Sequence, residues 1–401
     1  MTVISRYILV VFFCIPVSAA AADDWKYDDN YRAVLLYLHE LVDYEYSATW
    51  NDRWERGLLK GNSLRLSFGS ITTADLFNNI RLRINQEVGK GFRFHGDFNR
   101  YASHHMDLEQ EANWMGFEKH VLGRIHFLVL FNPAISKEEI DARAGVLMVD
   151  AERSRYLSLT LRFDDFLYTE KNDRGGESIQ EPIGLQWLTR YALGRWVLFS
   201  EGTCLRGFKR RFPDRERSPE FFYHQQQTNN FTIKLRYRTT DQAFFETSVY
   251  HYRFDDRQSG YAPDYRYSYK NEIVHGTLKY IFPLTAKSRI RLALHHVFQK
   301  ARAHGFQDYA YERTEFLPAV VGEYFLSPRF TAEFGYLGTV YDWDYDHPSD
   351  REDYRASSYA DKLKLGFLYR FNENSRIQFS LSHEPSPSKF GGGNVQYLMF
   401  F

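Results

Sequence analysis

Most of the chain alternates apolar and polar residues in short runs. In one such run, Leu363, Leu365 and Phe367 are interleaved with the polar residues Lys362 and Lys364. Successive side chains of a β-strand point to opposite faces, so a run of this kind predicts a strand with one apolar and one polar face. The repetition of such runs predicts an all-β protein.

The predicted strands form pairs that are joined by short turns. These turns lie at 89–91, 122–124, 152–154, 193–194, 240–242, 283–287, 326–328 and 372–374. Longer polar connections separate the pairs, at 102–111, 133–141, 169–181, 207–228, 255–270, 301–313, 342–358 and 384–393. Strict alternation of short and long connections is typical of transmembrane β-barrels with short periplasmic turns and long outer loops. A soluble sandwich or propeller has no reason to keep that order through every pair.

The strand count follows from these turns. Each of the eight turns joins two strands, and the runs at 62–70 and 394–401 add one strand at each end. We therefore predict an antiparallel up-and-down transmembrane β-barrel over residues 62–401, with about eighteen strands and a range of roughly sixteen to twenty. An even count leaves both ends of the barrel in the periplasm.

The last strand carries a recognisable pattern. Val395, Tyr397, Met399 and Phe401 share one face, and Gln396 faces the other way. This ending resembles the final strand of Gram-negative outer-membrane β-barrels, although it identifies no specific family. The resemblance implies a location in the cell outer membrane, contact with outer-membrane lipid and lipopolysaccharide, and recognition of this strand by the barrel-assembly machinery.

The first 22 residues have the form of a secretory signal peptide. Arg6 supplies the positive start, an apolar run follows at 7–17, and small residues offer cleavage sites after Ala20 or Ala22. The apolar run is too short to span a bilayer as a helix. We therefore expect an exported chain that begins near residue 23.

Residues 23–61 separate the signal peptide from the barrel. Apolar residues recur there at helical spacing, at Val34, Leu35, Leu38, Leu41 and Val42. The pattern predicts a short amphipathic helix that lies in the periplasm or folds into the barrel as a plug. Residues 41–50 also alternate with a period of two, so an extra barrel strand is the alternative.

The polar faces of the strands predict a basic lumen. A cation on the lipid face near mid-bilayer costs about 2–4 kcal/mol, whereas a cation in the lumen keeps its hydration. The predicted lumen cations are Arg65, Arg81, Arg83, Arg162, Lys234, Arg236, Arg238, Lys279, Arg291, Lys362, Lys364 and Arg370. They outnumber the carboxylates that the same pattern places inside, so the lumen is expected to favour anions.

The whole chain has 51 basic and 51 acidic residues, so its net charge does not reveal the predicted basic wall. Acidic outer connections such as 341–353 compensate for it. Two other interpretations stay open. The lumen arginines could neutralise inward carboxylates, or arginines at the rim could anchor lipopolysaccharide.

Little in the sequence points to bound cofactors or metals. Removal of Cys14 with the signal peptide leaves Cys204 alone, which excludes an intrachain disulfide and a cysteine zinc site. No phosphate-binding loop or nucleophile elbow occurs, and we expect neither a cofactor nor a nucleic-acid partner. The His104-His105 pair lies in a predicted connection, where metal binding is an unfavoured alternative.

Two further groups contain residue types that can bind metals or act in catalysis. His295-His296 lies on a predicted strand, so its two side chains should point to opposite faces and cannot chelate one ion. Ser382-His383-Glu384 contains the residue types of a lipid-cleaving triad, but its side chains should also alternate between faces. We therefore predict that the protein is not an enzyme, and lipid modification remains only an alternative.

Together these patterns predict a porin-like channel for passive passage of small or anionic solutes. A homo-oligomer is compatible with the sequence. The alternatives are an export barrel for an anionic polysaccharide and a plugged barrel that is structural or binds a partner at the surface.

Overall fold

The computed structural model describes residues 59, 61–70, 76–103, 108–132, 141–163, 183–205, 208–213, 221–240, 243–259, 266–305, 308–346, 354–385 and 388–401. The predicted signal peptide, nearly all of the predicted segment 23–61 and the His104-His105 pair lie outside this range. Among the described residues, no helix has the length and apolar character needed to cross a membrane.

The described chain is built from β-strands. Their bounds are β1 Ser63–Ser70, β2 Leu76–Gly89, β3 Phe92–Ser103, β4 Leu108–Leu122, β5 Ile125–Asn132, β6 Asp141–Val149, β7 Tyr156–Phe163, β8 Ile183–Leu193, β9 Trp196–Leu205, β10 Phe208–Pro213, β11 Phe221–Arg238, β12 Phe244–Ser259, β13 Arg266–Thr285, β14 Ser288–His304, β15 Tyr309–Phe325, β16 Phe330–Asp346, β17 Tyr354–Arg370, β18 Ser375–Glu384 and β19 Lys389–Phe400.

These strands form one closed antiparallel barrel. β1 pairs with β2 on one side and with β19 on the other, which closes the sheet on itself. β10 is the exception, because it pairs with the outer part of β11, while β9 bonds directly to the rest of β11. Without β10 the barrel has 18 strands, which confirms the predicted fold class and strand count. The predicted short turns all lie at one end of the barrel, here called the short-turn end.

Several strands at the opposite end are longer than the sequence pattern predicts. The connection predicted at 301–313 is largely strand, because β14 continues to His304 and β15 begins at Tyr309. The connections predicted at 207–228, 255–270 and 342–358 are shortened in the same way, and β10 lies within the first of them. The apolar alternation ends before the backbone ladder does, so the sequence pattern underestimated these strands.

The outer surface carries an apolar belt. On β14 the outward residues from the short-turn end are Ile290, Leu292, Leu294, His296 and Phe298, followed by Lys300 and Arg302. A transmembrane strand needs about 9–11 residues to cross the bilayer, and 290–298 matches that length. The charged outward residues beyond it lie above the belt. The barrel therefore has the surface of a membrane-spanning protein.

The seam between β1 and β19 closes the barrel at the terminal strand. Val395, Tyr397 and Met399 face outward there and pair with Phe68, Leu66 and Leu64 of β1. Phe401 extends the pairing, because its backbone N–H donates to the Asn62 carbonyl at 3.1 Å and its carbonyl accepts from the Asn62 N–H at 3.3 Å. The predicted terminal strand is therefore one of the two strands that close the ring.

Candidate functional site

The candidate site is the inner wall of the barrel. Its positions are identified by the buried residues of each strand, which on β14 are Arg291, Ala293, His295, Val297 and Gln299. Cross-strand partners share a face, so the register extends this assignment around the barrel. All of the predicted lumen cations fall on the inner face, namely Arg65, Arg81, Arg83, Arg162, Lys234, Arg236, Arg238, Lys279, Arg291, Lys362, Lys364 and Arg370.

Several of these cations contact carboxylates. Arg81 donates through two nitrogens to Asp97, at 2.9 and 2.7 Å, and the Arg83 Nε lies 3.3 Å from the same carboxylate. Lys362 lies 3.3 Å from Glu384 and also donates to the Gly391 carbonyl. These pairs fix the positions of the cations at the inner wall.

A second ionic group connects β11, β12 and β13. The Arg236 Nε donates to Glu246 at 2.8 Å, and the Lys279 Nζ lies 3.8 Å from the other oxygen of that carboxylate. All three side chains are buried. Two cations thus share one carboxylate, which leaves this part of the wall with an excess of positive charge.

A third ionic group spans β14, β15, β16 and β18. Arg289 and Arg291 both contact Glu323, with the Arg291 Nε at 2.8 Å. Arg291 also reaches Glu333 at 3.3 Å, and Gln378 donates to the other Glu333 oxygen at 3.1 Å. Buried charges need partners of this kind, because an isolated one would be strongly destabilising.

Sequence reasoning missed several inward carboxylates. Glu118, Glu246, Glu315 and Glu323 are all buried on the inner face. The strand near 314–325 alternates poorly, because Leu317, Ala319 and Val321 also face inward there, so no clean polar face marked Glu315 and Glu323. Cations still outnumber carboxylates on the described inner wall, which includes Glu87, Asp97, Glu201, Asp256, Glu333 and Glu384 besides these four.

Arginine also packs on an aromatic ring of the inner wall. The Arg143 guanidinium of β6 lies 3.3 Å from the centroid of the Trp114 ring of β4, and Arg162 lies 5.6 Å from it. Trp114 pairs in register with Asp97, which fixes it on the inner face. Planar guanidinium groups stack well on such rings, and the indole fixes their position.

Near the short-turn end, Glu118 is surrounded by three basic side chains. Its Oε2 lies 2.6 Å from the His95 Nε2, and its Oε1 lies 2.6 Å from the His126 Nδ1. Arg153, in the turn between β6 and β7, donates to both oxygens at 2.9 and 2.5 Å. Glu118 is 2% exposed, so this group is an enclosed ionic contact rather than a surface pair.

The His95 ring is held between Asn85 and Glu118. Asn85 uses its Nδ2 to donate to the Gly61 carbonyl at 2.8 Å, and its Oδ1 lies 2.7 Å from the His95 Nδ1. The His95 Nε2 contacts Glu118 at 2.6 Å, so both ring nitrogens have a partner.

These side chains hold the start of the described chain inside the barrel. The Arg153 Nε donates to the Leu59 carbonyl at 2.8 Å, and the Asn85 backbone N–H donates to the Asn62 Oδ1 at 2.8 Å. The Leu59 side chain packs against Leu147, Val149 and Tyr156 of the inner wall. We call His95, Glu118, Arg153 and Asn85, with residues 59–62, the latch.

The turn that carries Arg153 is itself fixed by hydrogen bonds. Arg153 has a φ of 56°, which is unusual for a residue other than glycine. Asp150 accepts from the backbone N–H groups of Ser154 and Arg155 at 2.7 and 3.1 Å. Burial raises the pKa of Asp150, but these hydrogen bonds and the Ser154 hydroxyl outweigh it, so the pKa lies below its usual value.

The groups considered for enzymatic chemistry are separated, as their strand positions predict. His295 faces inward and lies 3.3 Å from His275, whereas His296 faces outward and stacks on Phe316. Within the part of the chain that the structure describes, no group of three or more His, Cys, Asp or Glu residues is arranged to hold a metal ion.

The Ser382-His383-Glu384 run divides among separate partners. Ser382 donates to the Gly392 carbonyl at 3.0 Å, Glu384 pairs with Lys362, and the His383 Nε2 lies 3.3 Å from the Ser388 hydroxyl. The three consecutive residues therefore do not assemble into a triad.

Comparisons with known proteins find similar architectures only. No family model matches the chain, and no curated protein matches it. Similar solved structures include OccAB3 of Acinetobacter baumannii, with 14% identity, a TM-score of 0.40, and coverage of 85% of this chain and 98% of that chain. The outer membrane channel DcaP of Acinetobacter baumannii has 10% identity and a TM-score of 0.36, covering 85% and 96%. A bacterial polysaccharide outer membrane secretin has 9% identity and a TM-score of 0.39, covering 86% and 98%.

Proposed function

We propose that this chain is an outer-membrane channel whose basic inner wall favours the passage of small anionic solutes. The short-turn end faces the periplasm in this proposal, and the longer strands β11 to β17 rise on the outer side. The observation that carries the proposal is the contrast between the two faces of the barrel, with an apolar belt outside and ionic groups inside.

The inner wall supports a water-filled pathway. A barrel of 18 strands is wide enough to leave an aqueous lumen unless something fills it. Its wall is lined with ionic groups such as Arg81 with Asp97 and Arg291 with Glu323. Side chains of this kind are stable next to water and would be costly next to hydrocarbon, so they suit a hydrated route.

The balance of charge supports a preference for anions. Glu246 serves both Arg236 and Lys279, and Glu323 serves both Arg289 and Arg291. The Glu246 group therefore carries a net positive charge at neutral pH, whereas Glu333 supplies a second carboxylate to the Glu323 group. Rings or patches of cations along a pore raise the local concentration of anions and exclude cations.

Single-channel recording of the refolded protein in a planar bilayer under a salt gradient tests this proposal. We expect a steady conductance with a reversal potential on the anion side. A preference for cations would mean that the inward carboxylates dominate, and it would contradict the anion pathway. An absence of conductance in a refolded protein that shows heat-modifiable β-structure would contradict the channel itself.

A passage for an anionic polysaccharide is the second candidate. The observation that favours it is the stack of Arg143 on Trp114 on the inner wall. Aromatic rings next to cations suit the apolar faces and the charges of acidic sugars. Block of the conductance by a short acidic oligosaccharide, with recovery in a Trp114→Ala variant, would favour this solute over small inorganic anions.

A further inference from the structure

A cavity opens on the outer face of β14, β15 and β16, at the end of the barrel opposite the short turns. Its volume is about 350 Å³. Even-numbered residues of these strands face outward, as Phe298, Phe316 and Val340 of the apolar belt do. The outward residues that line the cavity follow these three along their strands. The cavity therefore begins where the belt ends.

Two columns of opposite charge form the sides of this cavity. The basic column lies on β14 and the acidic column on β16, and their members are Lys300 and Arg302, and Asp342, Asp344 and Asp346. Arg302 pairs in register with Ala310 of β15, and Ala310 pairs with Asp346. Two strand spacings, about 10 Å in all, therefore separate the Arg302 and Asp346 backbones.

The position between Arg302 and Asp346 is filled by a small residue. Ala310 has no side-chain atom beyond its Cβ, so the space above it stays open between the guanidinium and the carboxylate. One level nearer the belt, Glu312 takes the middle position and contacts Lys300 at 3.0 Å. Arg302 and Asp346 are both exposed. The open part of the cavity is therefore bounded by a cation on one side and a carboxylate on the other.

This arrangement suits a headgroup that carries both signs of charge. A phosphate would accept paired hydrogen bonds from the Arg302 guanidinium, and a primary ammonium would donate to Asp346. Phosphoethanolamine contains these two groups, joined by a short carbon chain. A headgroup with negative charge alone would be repelled by the acidic column, and a quaternary ammonium has no N–H to donate.

The belt next to the cavity suits the remainder of a lipid. With the headgroup between β14 and β16, acyl chains would lie on the outward side chains of Phe298, Phe316 and Val340. Apolar contact of this kind adds to the ionic contacts. A soluble zwitterion would make the ionic contacts alone, so the position of the cavity favours an amphiphile.

We propose that this cavity binds the headgroup of a phosphoethanolamine-bearing membrane lipid, with the phosphate on Arg302 and the ammonium on Asp346. The inference goes beyond the proposed channel and does not depend on conductance, because a barrel that does not conduct would still bind the lipid.

Native mass spectrometry of the full refolded chain tests this site. The protein is held in micelles that contain phosphatidylethanolamine, phosphatidylglycerol or phosphatidylcholine with the same acyl chains. We expect the ethanolamine lipid to bind about tenfold to a hundredfold more tightly than the other two, which is the usual size of a hydrogen bond to a charged group. Equal binding of the three lipids would overturn the proposal.

Two substitutions separate the phosphate contact from the ammonium contact. Arg302→Gln should weaken binding of all three lipids about tenfold or more, because each has a phosphate. Asp346→Asn should weaken binding of the ethanolamine lipid alone. The matched controls are Arg257→Gln, on the exposed outer face of β12, and Glu152→Gln, in an exposed turn, and both should bind as the wild type does. Wild-type affinity in either test variant would overturn the assignment of that group.

A reversal of charge gives a second test. Asp346→Lys replaces the carboxylate by a cation and should shift the preference from the ethanolamine lipid to phosphatidylglycerol, in a protein whose heat-modifiable band shows that it is folded. An unchanged preference would overturn the site.

Two other ligands would give different results in the same measurement. Displacement of the lipid by an equal concentration of soluble phosphoethanolamine would overturn the role of the acyl chains. Binding of phosphatidylglycerol that matches the ethanolamine lipid only when Mg²⁺ is present, and is lost with a chelator, would replace the ammonium by a metal bridge and would overturn the zwitterion.

Discussion

Arg153 and Glu118 form a two-point ion pair on the inner side of the barrel, with nitrogen–oxygen distances of 2.9 and 2.5 Å. Arg153 comes from a turn and Glu118 from a strand, so the pair joins the β6–β7 turn to β4, two strands away from β6 in the sheet. The same guanidinium binds the Leu59 carbonyl. Arg153 therefore contacts both the inner wall, through Glu118, and the start of the described chain, through the Leu59 carbonyl.

Loss of Arg153 should destabilise the barrel. In Arg153→Ala, Glu118 keeps its two histidine contacts but loses both guanidinium bonds, and removal of one partner of a buried pair costs about 3–5 kcal/mol. We expect a lower midpoint in urea unfolding of the vesicle-embedded protein. Arg155→Ala, two residues away and exposed, is the control and should be nearly neutral. Equal midpoints for the two variants would show that the pair contributes little.

Substitutions in the ionic group around Glu323 should shift ion selectivity in opposite directions. Arg291→Gln removes a positive charge that balances Glu323 and Glu333, so the reversal potential should shift in the direction of cation selectivity. Glu323→Gln leaves Arg289 and Arg291 in excess and should move it toward anions. Both are measured by planar bilayer recording under a salt gradient. Lys287→Gln, at an exposed turn, serves as the control, and a shift of the same sign in both variants would contradict the assignment.

The apolar belt predicts a depth-dependent cost of charge on the outer face. Leu294→Arg places a cation near the middle of the belt and should cost about 2–4 kcal/mol, whereas His304→Arg lies above the belt and should cost about 0–1 kcal/mol. The measurement is reversible unfolding in lipid vesicles. Similar costs at both positions would mean that the membrane lies elsewhere on β14.

Asp150 gives the turn a defined response to acid. Because its pKa is lowered in the folded protein, its contribution is complete above the ordinary Asp value of about 3.9 and is lost as the pH falls through the lower folded value. Asp150→Asn should therefore be less stable than the wild type at pH 7, and the difference should vanish in acid. Thermal unfolding across this pH range tests the sign, and a difference that grows in acid would contradict it.

The seam requires a glycine at position 69. A Cβ there would lie 2.3 Å from the Gly393 carbonyl oxygen and 2.7 Å from the Asn394 Cβ, so Gly69→Val should prevent close pairing of β1 with β19. We expect loss of the heat-modifiable folded band in gel electrophoresis. Gly276→Ala is the control, since no atom lies within 4 Å of its added Cβ. A normal folded band for Gly69→Val would mean that the seam can separate without loss of the barrel.

The sequence predicted the barrel well, because a strand that crosses a bilayer must alternate outward apolar and inward polar side chains. Short turns such as the one after Gly89 mark the strand ends, and outward residues such as Leu292 and Leu294 must be apolar. Beyond the belt this constraint ends. The continuation of β14 to His304 therefore left no apolar pattern to detect.

The ionic partners inside the barrel were harder to predict. A local sequence pattern does not show which turn residue contacts the inner face of a nearby strand, so Glu118 and Arg153 gave no sign that they meet. Arg153 lay in a predicted turn, where an exposed side chain is the ordinary expectation. The inward direction of Arg236 or Arg291 followed from alternation, but their carboxylate partners depended on the register between neighbouring strands.

The unequal lengths of the strands make the barrel a ring of uneven stiffness. β5 and β7 have 8 residues each, whereas β13 has 20, and the number of backbone hydrogen bonds across each interface scales with these lengths. Under lateral tension the short half should deform first, while β11 to β17 keep their shape. The latch joins the β6–β7 turn, on the side of the short strands, to Asn85, His95 and Glu118 of the longer strands β2, β3 and β4, so deformation of the short side would move Arg153 relative to Glu118 before β11 to β17 change shape.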